Sequence, residues 1–354
     1  MEQLGNRPLD WIDGGVSMVD QTRLPDRYEV MRIESVPDMV AAIRRLSVRG
    51  APAIGVAGAL GVALAVQAHG TSGPDLDRAI RSLREARPTA VNLARMVDRV
   101  APLAGQGLDR VLAEALAIRD EEIAASVSMG EYGADLVAEL LTERATARAM
   151  TICNTGGLAT IERGTALAVI QTLHERGTLA EALALETRPL LQGARLTAWE
   201  LARMGAPHRL LVDSAANFML ARRQADVVLT GADRVAANGD TANKIGTFSL
   251  ALGARYAGVP FIVVAPESTV DMDTPGGDAI PIEDRDATEV VSVGDHPTAP
   301  ADTDAANPAF DITPHALITA IVTDRRVVRL DRGDSLRSVP LGELRRPAAE
   351  NSAR

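Results

Sequence analysis

The sequence is poor in cysteine and in aromatic side chains. Among its 354 residues only Cys153 is a cysteine, and Phe, Tyr and Trp together make up 3%. A single cysteine excludes an internal disulfide framework and suits a reducing compartment, so we expect a cytoplasmic protein. Because aromatic rings are rare, aliphatic and alanine side chains have to fill the core.

Positive charge is in deficit as well. The formal net charge of -10 argues against a surface for nucleic acid or for an anionic membrane, but it is compatible with a local basic pocket for one phosphate. The N-terminus, MEQLGNRPLDW, has no apolar run after a basic start, so we predict no signal peptide. The most apolar stretch, residues 51–66, is shorter than the roughly 20 residues that span a bilayer, and we interpret it as a buried helix.

Motifs of several enzyme classes are missing from the sequence. The five histidines form neither an HxH nor an HExxH pattern, so no metal site is predicted. GxSxG, GxxxxGKS or GxxxxGKT, and GxGxxG are absent too, which leaves a serine hydrolase, an ATP site and a nicotinamide site without support. We therefore expect no cofactor, and the remaining chemistry is acid/base catalysis by one thiol and carboxylates.

Two patterns of hydrophobicity divide the chain. Residues 1–145 predict a mainly helical N-terminal domain with a small antiparallel sheet at residues 9–33. Residues 146–345 alternate short apolar runs with helical stretches, which is typical of an α/β, Rossmann-like domain with a parallel sheet and helices on both faces. Residues 346–354 are predicted as a flexible tail.

The predicted strands and helices of the second domain follow from these runs. The strands are RAMTIC, LALET, RLLVD, DVVLTGAD and PFIVVAP. The helices are LATIERGTALAVIQTLHERG, ARLTAWELARMG, AANFMLARR and NKIGTFSLALGARYAG, with a last helical piece at PHALITAIV. Ionisable side chains follow four of the strands, namely Cys153, Glu186 with Arg188, Asp213 and Asp233. Because ligands bind beyond the carboxyl ends of parallel strands, this edge is the candidate site.

Each of these side chains also has a purely structural interpretation. Cys153 can be a small buried hydrophobic residue, Asp213 a helix cap and Asp233 a turn former. Asn243 can cap a helix in the same way. Lys244, just inside that helix start, would oppose the helix dipole unless it shares the position with a bound anion.

Several motifs together resemble one enzyme family. They are RGAPAIG, RPTAVNL, CNTGGLAT, ETRPLLQGARLTAWEL, GADRVAANGDTANKIGT, PFIVVAPESTVD, IPIEDRDATEV and NPAFDITP. In this order they resemble the S-methyl-5-thioribose-1-phosphate isomerases, which are related to the regulatory subunits of initiation factor 2B. The resemblance implies conversion of 5-methylthioribose 1-phosphate to 5-methylthioribulose 1-phosphate in methionine salvage, by proton or by hydride transfer.

The resemblance also implies the site residues. Cys153 and Asp233 correspond to the catalytic pair, with Asp233 as the proton donor, and a carboxyl group in an apolar site can stay protonated near neutral pH. The substrate contacts it implies are Arg49, Gly50, Ala51, Arg87, Gln192, Asn243 and Lys244. Together with the three-residue spacing of Gly55, Gly58 and Gly61, which would allow close approach of another backbone, it predicts a homodimer.

Three residues depart from the family pattern beside the expected site: Ile152, Leu185 and Ser214. These three departures leave open whether the pocket differs from the family pattern in polarity or in the substrate that it accepts. The alternatives are an isomerase of 5-deoxyribose 1-phosphate, an isomerase of ribose 1,5-bisphosphate, and a non-catalytic binding subunit related to initiation factor 2B. Retention of Cys153, Asp233 and Lys244 together disfavours the binding subunit, which has no chemical need for the set.

Overall fold

The structure is a computed structural model that describes residues 4, 7–87 and 90–346. Its α-helices are α1 (Val36–Arg44), α2 (Ala51–His69), α3 (Pro74–Arg84), α4 (Val91–Val100), α5 (Leu108–Leu140), α6 (Ala166–Glu175), α7 (Ala198–Arg203), α8 (Ala216–Ala221), α9 (Thr247–Ala257) and α10 (Thr288–Val291). Its strands are β1 (Leu9–Ile12), β2 (Gly15–Val19), β3 (Val30–Ile33), β4 (Ala147–Thr151), β5 (Leu179–Leu185), β6 (His208–Leu211), β7 (Val227–Thr230), β8 (Arg234–Ala236), β9 (Thr241–Lys244), β10 (Phe261–Val264), β11 (Val270–Asp271), β12 (Ser292–Val293), β13 (His296–Pro297), β14 (Phe310–Thr313), β15 (Ala320–Val322) and β16 (Val327–Val328).

The chain divides into two compact units. Unit 1 comprises Met1–Ala124 and Gly156–Gly164, and unit 2 comprises Ala125–Thr155 and Thr165–Arg354. The division differs from the predicted boundary at 145/146, because it falls inside α5 and assigns a short later segment to unit 1. Residues 347–354 of the predicted tail lie outside the described residues.

Unit 1 packs helices around α2. Its β1, β2 and β3 form the predicted antiparallel sheet. Helix α2 is long and apolar enough to cross a membrane by length and composition, but 83% of its most apolar window is buried inside the protein. The prediction of a buried helix is therefore confirmed.

The glycines of α2 serve packing inside unit 1. A Cβ added at Gly58 would lie 2.5 Å from Leu93 of α4, and one added at Gly61 would lie 2.7 Å from Leu83 of α3. These glycines let the neighbouring helices approach closely. The glycine row is already covered by its own unit, so its spacing is no argument for a homodimer.

Unit 2 is the predicted α/β domain. Its seven-stranded sheet has the order β16-β15-β10-β7-β4-β5-β6, parallel except at β16. Each predicted strand is present, and alternate side chains enter two separate cores, as Ala149 and Met150 do. Helix α6 and the end of α5 cover one face, while α8 and α9 cover the other. Burial on both faces explains why these strands are continuous apolar runs.

Two helix predictions were wrong, one in extent and one in type. Helix α6 begins only at Ala166, because residues 156–164 form an irregular excursion that belongs to unit 1. The stretch PHALITAIV forms one short 3₁₀ turn, His315–Leu317, and then strand β15. The β-branched residues of that stretch suit a strand, and β15 pairs with β10 in the sheet.

A second sheet in unit 2 was not predicted at all. It has the order β11-β8-β9-β14, and β9 pairs antiparallel with β14. Residues 241–244, expected near a helix start, are the strand β9, and α9 begins at Thr247 after Gly246. This sheet positions Asn243 and Lys244.

Candidate active site

The carboxyl edge of the main sheet places Cys153 and Asp233 after neighbouring strands. Strand β4 pairs in parallel with β7 on one side and with β5 on the other. Cys153 follows β4 by two residues and Asp233 follows β7 by three. The two connections touch, since a Cβ added at Gly231 would lie 3.0 Å from Cγ2 of Thr155.

Cys153 is buried and its backbone is strained. The residue is 9% exposed and has a φ of 69°, in the left-handed region that costs a non-glycine residue about 1–2 kcal/mol. Its N–H donates to Thr187 Oγ1 at 2.9 Å, and its carbonyl accepts from Thr197 Oγ1 at 2.7 Å. Gln192 Nε2 donates to the thiol Sγ at 3.4 Å. Two of these hydrogen bonds hold the backbone of Cys153, and the third is made to its thiol.

The loop that follows β5 supplies two of these three contacts. Asp213 holds this loop, since its carboxylate accepts the backbone N–H groups of Thr187 at 2.8 Å and Arg188 at 2.7 Å. The interpretation of Asp213 as a helix cap was wrong, because its carboxylate serves the neighbouring loop. Strands β5 and β6 pair in parallel, which brings Asp213 beside residues that follow β5.

Gln192 and Gly193 end this loop against β5. A Cβ added at Gly193 would lie 1.7 Å from the Leu185 carbonyl oxygen, so only glycine fits there without a backbone shift. Gln192 is 3% exposed. Its Oε1, like Thr155 Oγ1, is a buried acceptor with no hydrogen-bond partner among the described residues. A substrate hydroxyl is a group that can donate to such an oxygen.

Asn243 and Lys244 lie in strand β9. Lys244 Nζ donates to the Ala309 carbonyl at 2.8 Å and lies 5.0 Å from the ring centre of Phe310. Asn243 Nδ2 donates to Thr247 Oγ1 at 2.9 Å. The interpretations of Asn243 as a helix cap and of Lys244 as a residue inside a helix were wrong, so no conflict with a helix dipole has to be resolved.

Sequence reasoning assigned no role to Asp311. It lies opposite Asn243 in the β9–β14 ladder, and its carboxylate accepts from the N–H groups of Gly246 at 2.7 Å and Phe248 at 3.1 Å. Burial raises the pKa of Asp311 to about 6, although these donors and the charge of Lys244 act in the opposite direction. The carboxyl group of Asp311 is therefore charged above a pH of about 6 and neutral below it. No local signal in the sequence indicates this role, because Asp311 reaches the start of α9 only through the pairing of β9 with β14.

Asp233 is solvent-exposed in the structure. It lies in the turn between β7 and β8, and its N–H donates to the Ala242 carbonyl at 2.9 Å. This exposed position of Asp233 differs from the apolar site in which a carboxyl group would stay protonated near neutral pH. The same bond ties Asp233 to β9 and so to the strand that carries Asn243 and Lys244.

Residues that depart from the family pattern do not all belong to the edge. Ile152 and Leu185 are buried in the apolar core that also contains Met150 and Leu183. Ser214 is exposed within a short turn that follows β6. Ile152 and Leu185 therefore contribute apolar packing on one face of the sheet.

Unit 1 holds the other predicted site residues. Arg49, Gly50 and Ala51 are at the start of α2, where Gly50 has a φ of 89° and no side chain of the described residues caps the helix. A Cβ added at Gly50 would lie 2.1 Å from the Ala159 carbonyl oxygen, so glycine is required. Arg87 lies between α3 and α4. Cys153, Gln192, Asp233, Asn243 and Lys244 all lie in unit 2.

Comparison with known proteins assigns the family. A family model described as the Initiation factor 2 subunit family matches residues 47–329. The chain belongs to this family. Its relatives in the family include a methylthioribose-1-phosphate isomerase of Anaeromyxobacter sp. (strain K), 52% identical with 89% of this chain and 91% of that protein covered. A 5-deoxyribose 1-phosphate isomerase of Moorella thermoacetica is 46% identical, with 96% and 98% covered.

One family relative is longer than this chain. The probable bifunctional methylthioribose-1-phosphate isomerase/methylthioribulose-1-phosphate dehydratase of Nocardia farcinica is 48% identical, and the alignment spans 60% of that protein. Among solved structures, 5-methylthioribose 1-phosphate isomerase from Pyrococcus horikoshii OT3 matches with a TM-score of 0.84 and 39% identity, covering 91% of this chain and 92% of that one. The predicted resemblance and the α/β fold are confirmed.

Proposed function

We propose that the chain is an aldose–ketose isomerase that converts 5-methylthioribose 1-phosphate to 5-methylthioribulose 1-phosphate in methionine salvage. The observation that carries the proposal is the placement of Cys153 and Asp233 after adjacent parallel strands, with Gln192 hydrogen-bonded to the thiol. The names of relatives at 52% and 39% identity support the same reaction.

The chemistry defines what these residues have to do. The anomeric oxygen of the substrate carries phosphate, so the furanose cannot open freely, and its ring oxygen needs a proton as the C1–O bond breaks. Asp233 supplies that proton in this proposal. Hydrogen then moves from C2 to C1, either as a proton through an enediol or as a hydride, and the C2 hydroxyl loses its proton as the ketone forms. Cys153, beside Gln192, is the group proposed to act at C1 and C2.

Positively charged side chains and neutral polar groups complete the proposed binding site. Arg49, Arg87 and Lys244 supply positive charge for the phosphate, and Gly50 and Ala51 supply backbone at the start of α2, where an anion is favoured. Gln192 and Asn243 are proposed to bind sugar hydroxyls. The buried acceptor Oε1 of Gln192 supports this role.

A second substrate is favoured by one observation. The relative from Moorella thermoacetica is named a 5-deoxyribose 1-phosphate isomerase and is covered almost completely. The two sugars differ only in the group at C5, whereas ribose 1,5-bisphosphate would need a second anion site.

Turnover of these three sugar phosphates, measured side by side, tests the proposal. We expect the methylthio sugar to give the highest kcat/KM, with no added metal or nicotinamide. The 5-deoxy sugar should give a kcat/KM lower by about 10- to 200-fold, because loss of a small apolar group from a hydrophobic pocket changes binding by about 1–3 kcal/mol. Chelator-sensitive turnover would contradict metal-free chemistry, and no turnover of any of the three would overturn the isomerase.

We also propose that the chain is a cytoplasmic homodimer. An apolar row on α9 supports the dimer, since Phe248, Leu252 and Tyr256 recur every four residues and all are exposed, Tyr256 at 85%. Light scattering should give twice the 37.3 kDa of one chain, and Leu252→Arg should shift it to the monomer. A wild-type mass of one chain would contradict the dimer.

A further inference from the structure

Two threonines hold the main chain of Cys153 from opposite sides. The Cys153 N–H donates to Thr187 Oγ1 at 2.9 Å, and Thr197 Oγ1 donates to the Cys153 carbonyl at 2.7 Å. Both threonines are completely buried. One lies in the loop after β5 and the other in the turn that leads into α7, so two separate elements fix one residue.

The Thr187 hydroxyl also links two strand ends. While it accepts from Cys153, it donates to the Leu185 carbonyl at 3.0 Å. Thr187 itself has a φ of 65°, which is unfavourable for a β-branched residue. The Asp213 carboxylate holds it there by accepting the Thr187 N–H. The end of β4 is thereby fastened to the end of β5, and through Asp213 to the end of β6.

This arrangement determines where the thiol points. A backbone that relaxed from a φ of 69° to the extended region would redirect the Cα–Cβ bond and move Sγ away from Gln192 Nε2. Left-handed residues cluster here, because Cys153, Thr187 and Leu191 all have positive φ. Such clusters persist where the surrounding contacts over-determine them.

We propose that Thr187 and Thr197 are positioning residues that hold the Cys153 thiol in its reactive orientation. The proposal rests on the proposed function of Cys153. The hydroxyl groups act on the cysteine backbone and do not touch the substrate in this role.

The test compares Thr197→Val with Thr197→Ser in the full chain. Valine keeps the shape and removes the hydroxyl, while serine keeps the hydroxyl. Thr313→Val is the matched control, because Thr313 is a buried strand residue whose Oγ1 has no hydrogen-bond partner among the described residues. We expect Thr197→Val to lower kcat about 10- to 100-fold with KM within about twofold, since small misplacement of a reacting group is costly. Thr197→Ser should stay within about threefold of wild type, and Thr313→Val should be unchanged.

A second readout needs no substrate. Cys153 is the only thiol, so the rate of its alkylation by iodoacetamide reports on it alone. We expect about five- to tenfold faster alkylation in Thr197→Val, because loss of one hydrogen bond makes opening of the buried thiol easier by about that factor. Thr197→Ser and Thr313→Val should alkylate at the wild-type rate.

The two measurements separate the two proposals. Wild-type protein that turns over none of the sugar phosphates, together with faster alkylation of Thr197→Val, would contradict the function and keep the positioning role. An active wild type with unchanged kcat and unchanged alkylation in Thr197→Val would overturn the positioning role. If circular dichroism shows that Thr197→Val does not fold, Thr197→Ala is compared with Thr197→Ser instead, since these two variants also differ by one hydroxyl group. Equal kcat in Thr197→Ala and Thr197→Ser would overturn the positioning role.

Discussion

Asp233→Asn and Cys153→Ser should each lower kcat about a thousandfold. Asparagine is nearly isosteric with aspartate but cannot deliver a carboxyl proton, and a serine hydroxyl ionises far less readily than a thiol. General acid/base groups typically contribute between about 10² and 10⁴ in rate. Steady-state kcat and KM with the methylthio sugar phosphate, together with circular dichroism, measure the effect.

Cys153→Ala separates chemistry from packing. If Cys153 were only a small buried hydrophobic residue, alanine would preserve activity better than serine, because it buries no hydroxyl. If the thiol takes part in the reaction, alanine and serine fail alike. Asp295→Asn, at an exposed turn between β12 and β13, is the control for the aspartate. Near-normal turnover of Asp233→Asn would remove that carboxyl from the mechanism.

Gly193→Ala should abolish activity and lower the thermal unfolding midpoint by about 5 °C or more. The added methyl would overlap the Leu185 carbonyl oxygen at 1.7 Å and approach Thr187 Oγ1 at 2.8 Å. Backbone atoms cannot move aside as a flexible side chain can, so the loop has to shift by more than a rotamer change. That shift displaces Gln192 and Thr187 together, and both contact Cys153.

Gly105→Ala is the matched control for this prediction. Gly105 has no positive φ, and no atom in the described part of the chain lies within 4 Å of an added Cβ. We expect an unchanged or slightly raised midpoint there, because alanine reduces the freedom of the unfolded chain. A stable and active Gly193→Ala variant would show that the loop after β5 does not have to lie against the strand.

The main sheet could be predicted because its strands are buried on both faces. Runs such as FIVV, residues 261–264, are apolar throughout. Two other strands of this sheet, β4 and β7, end just before Cys153 and Asp233. The second sheet could not be predicted this way, because β9 has the sequence TANK, which carries no apolar run or alternation. Its pairing with β14 depends on residues more than sixty positions away.

Side-chain roles at the edge were harder to predict than their location. Asp213 was expected to cap its own helix, but it binds the neighbouring loop, which becomes adjacent only when β5 and β6 pair. The contacts of Thr187 and Thr197 with Cys153 span 34 and 44 positions. Sequence spacing contains no information about such bonds. Exposure of Asp233 likewise depends on tertiary packing.

The excursion at residues 156–164 limits the order in which the protein can fold during synthesis. Ile161 lies in the core of unit 1, and the Ala159 carbonyl accepts the Ala53 N–H of α2. Unit 1 therefore cannot complete its interior until the ribosome has released residue 161, by which time β4 has already emerged. The two halves are interleaved along the chain, so a nascent N-terminal fragment ending at 124 lacks part of its own core.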